Sequence, residues 1–203
     1  KIENKDEMAQ HLQTMSDAVR NASKTLKNLA GIYHTNPGHS VGPVNVNSLI
    51  ERAMSLLAPQ WKVGAHAKGM KIDMRLNLQP VPSIAGDDSD IQDALTNLIM
   101  NSIEAMPDGG TITISTYADR AFVTIDLRDT GKGMTEEVRR RCIEPFYTTK
   151  AAAGTGMGLT VVQSIVHRHK GTLGIETGLG QGTRITMKLP VWSEAYHGSL
   201  QSA

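Results

Sequence analysis

Asn97 and Asn101 stand four residues apart among Leu, Ile and Met, so both amides fall on one face of a predicted helix. Amides on an otherwise apolar face need polar partners. One use is oxygen ligation of a hard cation: magnesium keeps waters and substrate phosphates, so one asparagine beside a triphosphate suits it better than a full protein cage. The other is a bond to the backbone of the same helix. Asp129 ends a predicted strand and precedes Gly131 and Gly133. Its carboxylate can accept from an exocyclic amine, which favours adenine over guanine, while the glycines let the backbone pass close to a ligand. Gly154, Gly156 and Gly158 converge at the start of a further helix, where backbone N–H groups and the helix dipole favour phosphate. No Gly-Lys-Ser/Thr follows, so this is not a Walker loop, and no parallel βαβ unit marks a dinucleotide site. Taken singly, each glycine cluster also reads as a turn, and Gly180-Gln181-Gly182-Thr183 as a hairpin loop.

The elements that must position these groups follow from periodicity. A short strand is expected over 44–46, then a helix capped by Asn47 and Ser48, with Leu49, Ile50, Met54 and Leu57 inward, ending at Pro59. Residues 71–78 alternate as a strand, and 87–106 read as a long helix burying Ile91, Leu95, Leu98, Ile99 and Ile103. Strands over 111–117 and 121–128 form one hairpin, and 171–176 with 183–189 form another. Short helices are expected over 136–142 and 158–169, and the small residues of 149–156 suggest a mobile stretch. Without regular βαβα alternation, the chain reads as an α+β two-layer sandwich, with helices on one face of a mixed, mostly antiparallel sheet.

Ahead of this domain, which is expected over 44–191, Met8, Leu12, Met15, Val19, Ala22, Leu26, Leu29 and Tyr33 alternate steps of four and three, the seam of a paired helix. That helix is expected over 1–36, with a linker over 37–43 begun by Pro37 and Gly38 and a flexible tail over 192–203. Because the chain starts with Lys1 in a helical pattern, it reads as a piece of a longer polypeptide. Its 203 residues, 39% apolar and 20% charged, exclude disordered and disulfide-scaffold classes, and a net charge of +1 implies no nucleic-acid partner. Cys142 stands alone, so no internal disulfide forms, and a reducing compartment is expected. No apolar run is long enough to span a membrane, which points to a cytoplasmic chain without membrane contact of its own.

Taken together, five segments resemble the N, G1, F, G2 and G3 boxes of sensor histidine kinases, in family order: residues 97–105, 129–134, 144–150 and 154–159, then Gly182-Thr183. The resemblance covers about residues 44–190 and implies the Bergerat-type ATP-binding fold shared with DNA gyrase. The wording of 144–150 is similar to that of nitrogen-regulation and dicarboxylate-sensor kinases. It implies ATP and Mg²⁺ as ligands, with Asn101 on the metal, Asp129 on the adenine amine and Thr183 assisting Asp129. Gly131 and Gly133 would shape the adenine pocket, and Gly154, Thr155, Gly156, Met157, Gly158 and Leu159 would form a lid hinge and phosphate contacts. Phe146 would anchor the lid, with Thr148 and Thr149 beside it, and Lys150 would reach the phosphates. ATP-hydrolysing relatives carry a glutamate where this chain has Asn97, which cannot act as a base. The implied reaction is therefore transfer to a histidine, with a response regulator as onward partner and a homodimeric parent. None of the seven histidines of this chain has the family's acceptor setting; the segment over 1–36 resembles the second helix of the family's dimerisation and phosphoacceptor hairpin, so the first helix and its acceptor are expected elsewhere. The alternatives are an ATPase of the same fold or a nucleotide-binding scaffold.

Overall fold

The computed structural model describes residues 8, 11, 15, 41–66, 71–150 and 154–193. The elements run in the order β1 (Gly42–Val44), α1 (Val46–His66), β2 (Ile72–Leu78), β3 (Ile84–Gly86), α2 (Asp88–Glu104), β4 (Gly110–Ala118), β5 (Phe122–Asp129), α3 (Glu136–Arg141), α4 (Gly158–Arg168), β6 (Thr172–Thr177) and β7 (Thr183–Pro190). Five strands form one sheet, ordered β2-β4-β5-β7-β6, parallel between β2 and β4 and antiparallel elsewhere. This is the mixed, mostly antiparallel α+β sandwich expected from the pattern. Alternation explains its two faces: Ile112, Ile114, Val123, Ile125, Leu127, Ile185, Met187 and Leu189 point into the core, where they meet Leu49, Ile50, Leu95, Leu98, Ile99, Val162 and Ile165 of the helices.

Helix α2 crosses the middle of that layer. Its start is set by Asp87, whose carboxylate accepts from the N–H groups of Ser89 at 2.8 Å and Asp90 at 3.2 Å. The register pairing Asp129 with Thr183 brings the end of β5 beside the start of β7. The polar end of the sheet therefore sits against the last turns of α2.

Three local expectations change. Helix α1 does not end at Pro59 but runs through it to His66. The reason is the apolar face, which continues from Ala53 and Leu57 to Trp61, only 8% exposed, so burial outweighs the break. Pro59→Ala is expected to raise stability by about 1–3 kcal/mol by removing the clash of the ring with the preceding turn; an unchanged or lower melting temperature would contradict a helix continuous there. The first strand lies at Gly42–Val44, not 44–46, and pairs with the unforeseen strand β3, Pro43 opposite Ala85. Proline fits there because β1 pairs with β3 alone and is an edge strand. The expected tail also begins late: Val191 bridges Ile84, and the Trp192 N–H donates to the Ser83 carbonyl at 2.8 Å. Of the helix expected over 1–36 only Met8, His11 and Met15 are described, each helical and exposed; the rest of 1–36, 37–40, 151–153 and the tail beyond 193 lie outside the described residues.

Candidate nucleotide site

Asp129 is 3% exposed at the last position of β5. Its Oδ1 accepts from the Gly131 N–H at 2.9 Å and the Thr183 N–H at 3.1 Å, and its Oδ2 accepts from the Ser102 hydroxyl at 3.0 Å. Three donors orient a buried carboxylate, and Oδ2 retains acceptor capacity beyond the serine. A side chain at Gly131 would lie 2.7 Å from the Ala105 carbonyl and 2.9 Å from Oδ1 of Asp129. Only a glycine leaves that room. Gly133 and Gly182 both take positive φ, and a Cβ on either would overlap backbone, that of Gly178 and Asp129 respectively.

Thr183 reaches Asp129 through its backbone rather than its hydroxyl, which instead lies 3.2 Å from the hydroxyl of Thr177. Thr177 in turn donates to the Gly182 carbonyl and accepts from the Met134 N–H at 3.0 Å. It thus ties the loop after β5 to the β6–β7 turn. Ser102 and Thr177 escaped sequence reading because nothing in the spacing of a lone Ser or Thr shows which carboxylate or loop it will meet. Ser102 did carry one signal: a hydroxyl on the buried stripe of α2 needs a partner. Ser102→Ala is expected to weaken adenine-nucleotide binding by about three- to tenfold, since one net hydrogen bond of about 1 kcal/mol stops orienting the carboxylate. Unchanged affinity by calorimetry would show that Asp129 needs no such support.

Along α2 the other groups follow in order. Asn97 donates from Nδ2 to the Asp93 carbonyl at 2.9 Å, while the Asn101 amide has no side-chain hydrogen bond among the described residues. Both face the first residue of α4: a Cβ at Gly158 would lie 3.3 Å from Nδ2 of Asn101 and 3.5 Å from Oδ1 of Asn97. Met157 is fully buried and caps α4 with no side-chain hydrogen bond, so the first N–H groups of α4 are not taken by a cap. Leu159 packs on the core. Helix α4 is tied to the preceding segment by the Thr160 hydroxyl, which donates to the Ile143 carbonyl at 3.0 Å.

Phe146 N–H donates to the Gly156 carbonyl at 3.1 Å, and both residues take positive φ. Phe146 as a residue is 59% exposed, so this segment is closed by its backbone and not by burying Phe146. The Thr148 hydroxyl accepts from the Lys150 N–H at 3.0 Å and lies against Gly154. Thr149 is exposed and Thr155 half-buried. Lys150 does not point freely into solvent: its ammonium pairs with Glu104, the last residue of α2, a partner the sequence reading did not single out. Nearby, Arg139 and Arg140 pull the Glu136 carboxyl down to about 2, and burial pushes the Cys142 thiol up, away from the reactive thiolate.

Structure therefore gathers Asp129, Gly131, Thr183 and Ser102 at one end of α2, and Asn97, Asn101 and Gly158 along its face, with Lys150 held to its C-terminus. Among the described residues no group of three or more His, Cys, Asp or Glu is placed to hold a metal, and no helix is long and apolar enough to cross a membrane. Residues 86–193 match the family described as histidine kinase-, DNA gyrase B- and HSP90-like ATPases. The chain is 39% identical over 135 residues to sporulation kinase E of Bacillus subtilis, covering 66% of this chain and 18% of that protein. It is 33% identical over 148 residues to the sensor histidine kinase ZraS of Escherichia coli O157:H7, covering 73% of this chain and 31% of that one. The chain thus spans less than a third of the length of either relative. Among solved structures, the catalytic domain of the histidine kinase ThkA superposes with a TM-score of 0.65 at 25% identity, covering 74% of this chain and 97% of that one. Full-length ShkA in complex with AMPPNP gives 0.76 at 22% identity, covering 92% and 40%, a likeness of fold.

Proposed function

The chain belongs to the family of histidine kinase-, DNA gyrase B- and HSP90-like ATPases, and from that premise we propose that it is the ATP-binding catalytic part of a two-component sensor histidine kinase. It would transfer the γ-phosphate of Mg-ATP to a histidine outside this chain, for relay to an aspartate of a response regulator, in a homodimeric parent. The names of sporulation kinase E and of the sensor histidine kinase ZraS support the kinase over other members of the family. The observation that carries the nucleotide reading is Asp129, a buried carboxylate held by three donors beside Gly131, where a side chain would collide with it.

The residues present fit a nucleotide and its magnesium. Asp129 would accept the adenine amine through the capacity left on Oδ2. Gly131 and Gly133 would keep the backbone close to the base. The Asn101 amide, without a side-chain hydrogen bond among the described residues, would offer its oxygen to the metal, and the uncapped N–H groups at Gly158 and Leu159 would meet phosphate oxygens. When bound, Mg²⁺ neutralises charge on the phosphates. Asn97 is an amide already bonded to the Asp93 carbonyl, so it takes no proton from water; the nucleophile must come with the acceptor.

Calorimetric titration of this chain with ADP and AMPPNP, with and without Mg²⁺, tests the reading. Adenine-specific binding that strengthens with Mg²⁺ is expected. Absence of binding would overturn it, and brisk ATP turnover without any acceptor would replace the kinase by an ATPase.

A further inference from the structure

Lys150 and Glu104 meet across 46 positions of chain, the ammonium donating to Oε2 of the carboxylate. Glu104 lies three residues past Asn101 on α2, so the carboxylate and the Asn101 amide share a helix face one turn apart. A lone carboxylate there has the wrong sign beside a polyphosphate. Lys150 cancels it. An ammonium carries three N–H donors and the carboxylate occupies one, leaving the others for further oxygens. The two side chains are 31% and 46% exposed, so the pair contributes little to fold stability, and its placement is the feature that needs a reason. The backbone beneath it is also held, since the Lys150 N–H donates to the Thr148 hydroxyl at 3.0 Å.

We propose that Glu104 is a positioning residue for phosphate recognition: it holds the Lys150 ammonium one helical turn from Asn101, where its remaining N–H groups meet the phosphate chain of the nucleotide. This rests on the nucleotide site proposed above. Glu104 acts through Lys150 and only through it. Without the lysine, the carboxylate merely repels.

The test is the ratio of AMPPNP to adenosine affinity, which cancels general changes in the adenine pocket. It is measured for the wild type, Glu104→Gln, Lys150→Met and the double variant. Glu104→Gln is expected to lower the ratio by about five- to tenfold in the wild-type background, as a charge-assisted contact is lost, and to leave it unchanged or raise it when Lys150 is Met. The charge exchange Glu104→Lys with Lys150→Glu is expected to keep the ratio above that of Lys150→Met. A ratio lowered equally in both backgrounds, or raised by Glu104→Gln alone, overturns the inference while the nucleotide site stands. A wild type that binds neither ligand removes the site reading and this inference with it.

Discussion

Asp129→Asn weakens adenine-nucleotide binding at least tenfold while leaving the domain folded. The reason lies in how the three bonds to the carboxylate are divided. Oδ1 receives the Gly131 and Thr183 N–H groups and Oδ2 receives Ser102. An asparagine keeps an oxygen for the two fixed backbone donors, and the rotating serine hydroxyl can turn to accept from the new amide nitrogen. The adenine amine cannot turn: it would meet a donor where it had an acceptor. A hydrogen bond to a charged group is worth roughly 1.5–3 kcal/mol, and each 1.4 kcal/mol is about tenfold in affinity. Calorimetry with ADP and a thermal melt decide it together. Equal affinity for both proteins would remove Asp129 from adenine recognition, and a melt lowered as far as binding would make its role structural.

The second large effect falls on Asn101. Asn101→Ala is expected to abolish the strengthening of AMPPNP binding by Mg²⁺, and to stop phosphoryl transfer to an added acceptor histidine, without loss of fold. Alanine is the better helix former by up to about 0.7 kcal/mol, and among the described residues the Asn101 side chain makes no hydrogen bond that the helix would miss. Its neighbour one turn earlier behaves differently, since Asn97 already bonds to Asp93. Magnesium dependence retained in Asn101→Ala would take the metal away from this residue.

Most of the architecture was legible because long periodic segments declare themselves. Helix α2 showed its apolar stripe from Ile91 to Ile103, and the strands of the two hairpins alternate cleanly. The resemblance to histidine kinases, read from five ordered segments, agrees with the family match over 86–193. Shorter or interrupted elements were not legible. Strand β3 is three residues, Ile84–Gly86, too few for alternation to show, and α1 continues past a proline because Trp61 finds a buried place beyond it.

What the sequence determined by itself is which groups are present and which share an element. Asn97, Asn101 and Glu104 lie on one helix, Asp129 ends a strand before two glycines, and Gly158 opens another helix, because residue type and local period are properties of the chain alone. What only the tertiary structure decided is which of them meet. Ser102 finds Asp129 because α2 crosses the end of β5; Thr183 brings its N–H to the same carboxylate because β5 and β7 pair in that register; and Lys150 reaches Glu104 from 46 residues away. Such contacts depend on strand register and helix crossing, which are set by burial of the whole core and leave no mark in the spacing of the residues that make them.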